Sequence, residues 1–213
     1  MKTFSSVGVA LLIIIIMWIV VSYIIDKKIK QPAYIVVEER DSYQIRRYEP
    51  YLLATVTVEG SSERERSSKA FRLLANYIFG GNSTQTSIEM TVPVQTETNS
   101  STQIEMTAPI VTQQDGSELT MSFVLPSRFT LENVPKPLTP EVSLEQKLVT
   151  ITATKRFTGL VNEKKSNLQK KILLENIKSD GLEIVSSPQI LQYNQPWVFP
   201  WFRRNEASVE IKG

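Results

Sequence analysis

Ile88-Glu89-Met90-Thr91-Val92-Pro93-Val94 is answered by Ile104-Glu105-Met106-Thr107-Ala108-Pro109-Ile110. An echo this short is not a solenoid repeat. It reads as two β-segments, each closed by Thr-x-Pro, because proline lacks the N–H that a ladder requires and pairs only at an edge or a bulge. Between the copies, Gln95 to Gln103 is nearly all Thr, Ser, Asn and Gln, which is loop chemistry. The expectation is a ragged hairpin with matched strands. The alternative is a pocket wall in which Met90 and Met106 turn soft, polarizable side chains toward a flat apolar ligand.

The surrounding chain has a repeated grammar. Leu52 to Val58 reads as a strand. Ser62-x-x-Glu65 is a capping-box pattern, and Ala70, Leu73, Leu74, Tyr77 and Ile78 follow at helical spacing until Gly80-Gly81-Asn82. After the twin motif, Asp115-Gly116 signals a hairpin into the strand Leu119 to Leu125. Phe129 to Glu141, with Pro135, Pro137 and Pro140, is an extended surface crossover. The order then recurs: a strand from Lys147 to Phe157, a turn at Gly159, and a helix from Glu163 to Ser179 with Leu168, Ile172, Leu173 and Ile177 as its buried stripe. Asp180-Gly181 closes that helix. A strand interrupted at Pro188 (Leu182 to Ser186, Gln189 to Tyr193), an aromatic loop from Pro196 to Phe202 and a last strand from Arg204 to Ile211 complete the unit. Upstream, Tyr34 to Arg40 and Tyr43 to Tyr48 form a hairpin about Asp41-Ser42. The chain thus contains β-α-β-β twice, Leu52 to Leu125 and Lys147 to Ile211. This predicts an α+β fold: two pseudo-symmetric units, both helices on one side of antiparallel sheets that curl into a distorted barrel, and a ligand cleft between helices and strands.

The chain has 213 residues and a formal net charge of +2, with no Cys and no His. There is no thiol nucleophile, no Cys-ligated metal and no imidazole for general-base or haem-ligating work. No Lys/Arg cluster stands clear of acidic neighbours, which argues against nucleic acid as a partner. Val7 to Ile25 is apolar apart from Gly8 and Ser22, and Asp26-Lys27-Lys28-Ile29-Lys30 stops it. At ~1.5 Å per residue such a run matches the ~30 Å hydrocarbon core. The expectation is an uncleaved single-pass anchor over residues 1–30 and a soluble domain over 31–213, joined by Gln31-Pro32. The lysines after the span slightly favour a cytoplasmic domain, and export by a signal-anchor stays open.

With these elements placed, the sequence resembles the SOUL haem-binding protein family. The resemblance rests on Tyr43-Gln44-Ile45-Arg46-Arg47-Tyr48, Leu74 to Asn82, both Met-Thr-x-Pro motifs, Met121 to Pro126, Tyr193-Asn194-Gln195-Pro196-Trp197 and Arg203-Arg204-Asn205-Glu206. It runs from about Tyr34 to Ile211. It implies two βαββ units like those of small-molecule effector domains of bacterial regulators. It also implies non-covalent binding of haem or another porphyrin, here with no His or Cys axial ligand. Phe71 and Phe199 stand where the resemblance leads one to expect a methionine and a lysine.

The candidate binding residues are Lys69, Phe71, Arg72, Met90, Met106 and Trp197. Lys69 and Arg72 are propionate partners or a solvated helix face. Met90, Met106 and Met121 line a porphyrin face or fill the core. Phe71 and Tyr77 stack on a ring, or Tyr77 is core. Trp197 to Phe202 closes a pocket or dips into a membrane interface. Lys164, Lys165, Lys170 and Lys171 suit anionic headgroups or water. Arg203-Arg204-Asn205-Glu206 reads as supplying an Arg–Glu pair that holds the loop, and Glu89 and Glu105 as exposed equivalents. Three functions follow: a membrane-anchored tetrapyrrole-binding protein, an enzyme acting on the tetrapyrrole by metal removal, or a lipid- or protein-interaction module with a closed cleft.

Overall fold

The computed structural model describes residues 8–14, 16–18, 20–21, 31–98, 118–194 and 197–213. Its strands are β1 (Tyr34–Glu39), β2 (Gln44–Tyr48), β3 (Tyr51–Glu59), β4 (Val94–Thr98), β5 (Glu118–Val124), β6 (Ser143–Lys147), β7 (Thr150–Phe157), β8 (Gln189–Gln192) and β9 (Asn205–Glu210). The helices of the domain are α1 (Glu63–Ile78) and α2 (Glu163–Ser179). The strands form one nine-stranded sheet in the order β1-β2-β7-β9-β8-β4-β5-β3-β6, antiparallel at every pairing. The two sheets expected from the sequence are therefore a single sheet. β4 and β8, the third elements of the two βαββ units, pair directly through Val94↔Gln192, Gln95↔Leu191 and Thr96↔Ile190. The order β7-β9-β8-β4-β5-β3 reads the same outward from that junction, so a pseudo-two-fold axis passes between β4 and β8.

The sheet is bent by two short links. Glu49-Pro50 joins β2 to β3, and Leu148-Val149 joins β6 to β7, although each pair lies far apart in the strand order. These links hold only if the sheet curls into a half-barrel. Tyr48 and Tyr51 accordingly stand 6.1 Å apart ring to ring, and Lys147 Nζ lies 3.5 Å from Glu210 Oε1.

Both helices lie on one face, as the repeated grammar predicts. Leu52, Ala54, Val56 and Val58 of β3, with Leu119, Met121 and Phe123 of β5, pack against Ala70, Leu74, Tyr77 and Ile78 of α1. Ile45, Ala153, Ala207, Val209 and Ile190 pack against Leu173 and Ile177 of α2. Burying each of the larger aliphatic side chains is worth about 1.5–3 kcal/mol, so the two clusters anchor the two helices. Ser62 caps α1, its Oγ accepting from Glu65 N at 3.2 Å, and Asn162 caps α2, its Oδ1 accepting from Lys165 N at 2.9 Å. The Glu65 carboxylate takes the N–H of Ser61, one residue earlier than in a reciprocal capping box. Gly80 (φ +118°) ends α1. Asn82 is fully buried and ties the exit together, its Nδ2 donating to Tyr77 O at 2.9 Å and Thr86 O at 2.8 Å.

The structure corrects several expectations. The first motif copy is not a strand. Residues 88–93 are irregular, Val92–Pro93 is cis, and Thr91 Oγ1 donates to Val124 O. The strand begins after the proline, in the polar stretch expected to be a loop. Val94–Thr98 is polar because it serves two wetter surfaces: Gln95 Nε2 donates to Tyr51 OH at 3.3 Å on one face, and Thr96 faces the space between the helices on the other. The second copy, with Met106 and Asp115-Gly116, lies outside the described residues. Lys147 to Phe157 is not one strand: β6 pairs with β3, β7 with β2, and Leu148, expected within it, is 70% exposed in the link between them. Leu182 to Ser186 contributes only an isolated bridge, Ile184↔Ile211. In α2 the buried residues are Ser166, Lys170, Leu173 and Ile177, while Leu168 is exposed.

At the N-terminus, residues 8–14, 16–18 and 20–21 are helical and exposed. Among the described residues no helix is long and apolar enough to cross a membrane. The rest of the expected Val7 to Ile25 span lies outside the described residues.

Candidate functional site

The pseudo-two-fold axis passes through a cavity of about 220 Å³ between α1 and α2. The helix residues that line it come in matched pairs: Glu63 and Glu163 at the first helical positions, Arg66 and Ser166 one turn on, and Ser67 and Asn167 beside them. Its floor is the row Met121–Thr96–Ile190 across β5, β4 and β8, with Gln192 in the next row. Val161 closes one side and Lys170 reaches in from α2.

The polar groups of this cavity are poorly matched. Arg66 is 7% exposed; its Nη1 donates to Gly60 O at 2.8 Å, but its Nε is buried without a partner among the described residues. Thr96 Oγ1 is likewise buried and unpartnered. Lys170 is 8% exposed, and no hydrogen bond or ion pair joins it to any described residue. Burial pushes the Lys170 ammonium below the usual lysine range, and the charges of Glu97 and Glu63 pull it back only in part. Burial, then the charge of Glu163, raises the Glu63 carboxyl. Lys170 thus departs from the solvated basic face expected of α2. Its spacing from Leu173 and Ile177 is the signal that sequence reading passed over, because a charge in register with an apolar stripe is carried inward. Arg66 has the same register with Ala70 and Leu74.

The opposite face of the sheet holds a second polar cluster, fully matched. Glu206 is 0% exposed and Arg46 4%, and they pair at 2.8 Å. Arg204 joins the same carboxylate at 2.8 Å and Tyr193 OH donates to it at 2.7 Å. Arg46 also donates to Gln44 Oε1 and lies over the Tyr34 ring at 4.6 Å, and Arg204 lies over Tyr193 at 3.9 Å. Burial alone would raise the Glu206 carboxyl, yet Arg46, Arg204 and the Tyr193 hydroxyl hold it below its usual range. The expected Arg–Glu pair is real, and it is the heart of a larger structural network.

The sequence-derived candidates are dispersed. Phe71, four residues on from the cavity-lining Ser67, sits on the same side of α1 one turn along, 42% exposed, its ring 5.5 Å from buried Phe123. Arg72 and Lys69 are exposed. At ~100° per residue Arg72 is adjacent to Phe71 around the helix, while Lys69 lies about 160° away. Met90 is half-buried against the α1 core, and Met121 is on the cavity floor. Tyr77 is core, its hydroxyl donating to Pro135 O at 2.8 Å. Glu89 pairs with Arg128 at 3.0 Å on the surface. Trp197 is 54% exposed in the aromatic loop, where Trp201 (74%) and Phe202 (53%) are also exposed. This loop meets the N-terminal helical residues: Trp18 Nε1 donates to Trp197 O at 2.8 Å, and the Trp18 and Phe199 rings meet edge-on at 5.1 Å.

A haem does not fit the inter-helix cavity. Pockets enclosing drug-sized ligands run to about 300–1,000 Å³, and this one is about 220 Å³. The only open aromatic surface on α1 that adjoins a described cation is Phe71 beside Arg72.

Residues 29–210 match the family model described as SOUL heme-binding protein. Over 140 residues the chain is 28% identical to human Heme-binding protein 2, covering 66% of this chain and 63% of that protein's length. Among solved structures, the C-terminal domain of EcmrR superposes with a TM-score of 0.58 at 8% identity, covering 80% of this chain and 98% of that one. A hydrolase from Listeria innocua superposes at 0.54 with 10% identity, covering 83% and 94%. At such identities the structural matches speak for the fold alone.

Proposed function

From the premise that this chain belongs to the SOUL heme-binding protein family, whose pattern spans residues 29–210, we propose that it is a membrane-attached tetrapyrrole-binding protein. The family assignment carries this reading. The ligand lies on an open face of the domain, because the inter-helix cavity is too small to enclose it. Phe71, backed by Phe123, stacks on the macrocycle, and Arg72 pairs with a propionate. Lys69 reaches a second acid group only around the helix. Haem iron receives no His or Cys ligand, because the chain contains neither residue. Trp197 and its exposed neighbours border the apolar N-terminal segment, which attaches the domain to the bilayer.

Titrating haem into the full chain in a mild detergent tests the proposal. The expected result is a saturable absorbance change at one haem per chain, weakened by Phe71→Ala and by Arg72→Ala. A linear response that ignores both substitutions would mean haem adheres to apolar surface, and the reading would fall.

A further inference from the structure

We propose that the cavity between α1 and α2 is a binding site for a small organic acid, its carboxylate held by Arg66, Lys170 and Thr96 and its short apolar body laid on Met121, Ile190 and Val161. This goes beyond the tetrapyrrole reading and is independent of it, because the space is too small for a macrocycle.

Four observations converge. Two cationic side chains are more than nine-tenths buried in one cavity. Arg66 keeps a buried Nε–H with no hydrogen-bond partner among the described residues, and Lys170 makes no hydrogen bond or ion pair to a described residue, only longer-range attraction to Glu97 and Glu63. Buried donors such as the Arg66 Nε–H are nearly always satisfied, and none of the described residues supplies its partner. The Thr96 hydroxyl, also orphaned, adds a third hydrogen-bonding group at the floor. The apolar residues lie beside these groups, which suits a molecule with one charged end.

The sign of the charge follows from depth. Glu63 is half-buried and Glu163 exposed, so the carboxylates stand at the rim, while Lys170 and Arg66 are deeper. An anion passing the rim ends against two cations and two helix N-termini, whose dipoles favour negative charge. A cation that reached the floor would meet like charge with little solvent to screen it.

The test is calorimetry of the full chain in detergent with three molecules sharing one body: 3-phenylpropanoate, its amide, and 3-phenylpropylamine. The carboxylate is expected to bind one per chain, and the amide and amine at least ten-fold more weakly. Lys170→Met is expected to weaken the carboxylate ~10- to 100-fold, since a hydrogen bond to a charged group is lost. Lys170→Arg should restore much of the affinity. Thr96→Val exchanges only a hydroxyl for a methyl and carries the test should a charge variant fail to fold; a several-fold loss is expected. Preference for the amine would assign the cavity to cations. Absence of saturation, or carboxylate binding that ignores both Lys170→Met and Thr96→Val, would overturn the proposal.

Discussion

Replacing Lys170 by Met should make the protein more stable. Met keeps most of the lysine volume and removes the charge of a residue that is 8% exposed and makes no hydrogen bond or ion pair to a described residue. Replacing a buried ion pair by hydrophobes of similar volume is often neutral or stabilising by about 1–4 kcal/mol, and a buried ammonium without an ion-pair partner has still less Coulombic attraction to lose. Glu97 and Glu63 partly offset the cost here, so the lower half, about 1–2 kcal/mol, is expected. For a domain of this size that raises Tm by roughly 3–6 °C. The pH dependence identifies the cause. The folded lysine pKa is depressed, so between it and the unfolded value near ~10.4 the unfolded chain binds more protons and stability rises with pH. The advantage of Lys170→Met should therefore be largest below the folded pKa and shrink as pH climbs toward ~10. Buried tyrosines act in the other direction. Tyr77, pushed up to about 12 by burial, costs stability only above the usual tyrosine range, and it does so equally in both proteins. Paired thermal melts at several pH values read the difference directly. A loss of more than about 1 kcal/mol on Lys170→Met would refute the reasoning, because a cation whose removal costs that much must be satisfied by its surroundings.

Other perturbations give distinct outcomes. Arg46→Ala leaves Glu206 buried beside a single remaining arginine and should cost about 3–5 kcal/mol in denaturant unfolding. Because the folded Glu206 pKa is depressed, the stability it contributes is present above the unfolded carboxyl value and lost as pH falls through the folded one. Glu206→Gln should accordingly flatten the acid limb of the stability profile. Tyr77→Phe removes the donor to Pro135 O, a loss of about 1 kcal/mol by chemical denaturation. Gly81→Ala should lower Tm, because a Cβ there would stand 2.7 Å from Asn76 O, a backbone atom with little room to move.

Much of the fold was legible because its signals are local. The apolar periods, the cap Ser62 and the turn glycines marked both βαββ units, and the bounds of α2 follow from them. What escaped depends on partners distant in sequence. Val94–Thr98 looks like a loop, yet it becomes the strand that joins the two halves because β5 and β8 supply its ladder and Tyr51 takes its glutamine. The strand break at Leu148-Val149 was hidden for the converse reason. Two exposed apolar residues resemble strand interior until the curl of the sheet is known. Among site residues, Lys170 and Arg66 were missed because a charge on a helix usually belongs to its solvated face. Glu206 was recognised through the neighbouring Arg203-Arg204 but not through Arg46, which lies on the first hairpin.

A bilayer-spanning Val7 to Ile25 and the observed contact of Trp18 cannot hold together in one state. If Val7 to Ile25 spans a bilayer, Trp18 lies about 3 Å from the middle of that run. The loop it touches would then be drawn toward the midplane with Arg203, whose Nε donates to Val198 O at 2.8 Å. A guanidinium at that depth costs at least about 2.5 kcal/mol, more than an edge-on ring pair at about 0.5–1.5 kcal/mol returns. Insertion should therefore release Trp18 from Trp197 and leave the loop at the interface, where tryptophan is favoured. With Trp197 and Trp201 replaced by Phe, Trp18 is the only fluorophore of its kind, since the chain has 3 Trp. On reconstitution into vesicles its emission should shift to the blue and be quenched by lipids brominated deep in the acyl chain. A Trp18 that keeps its detergent spectrum and is quenched only from the headgroup region would place the segment on the surface, docked against the domain as described.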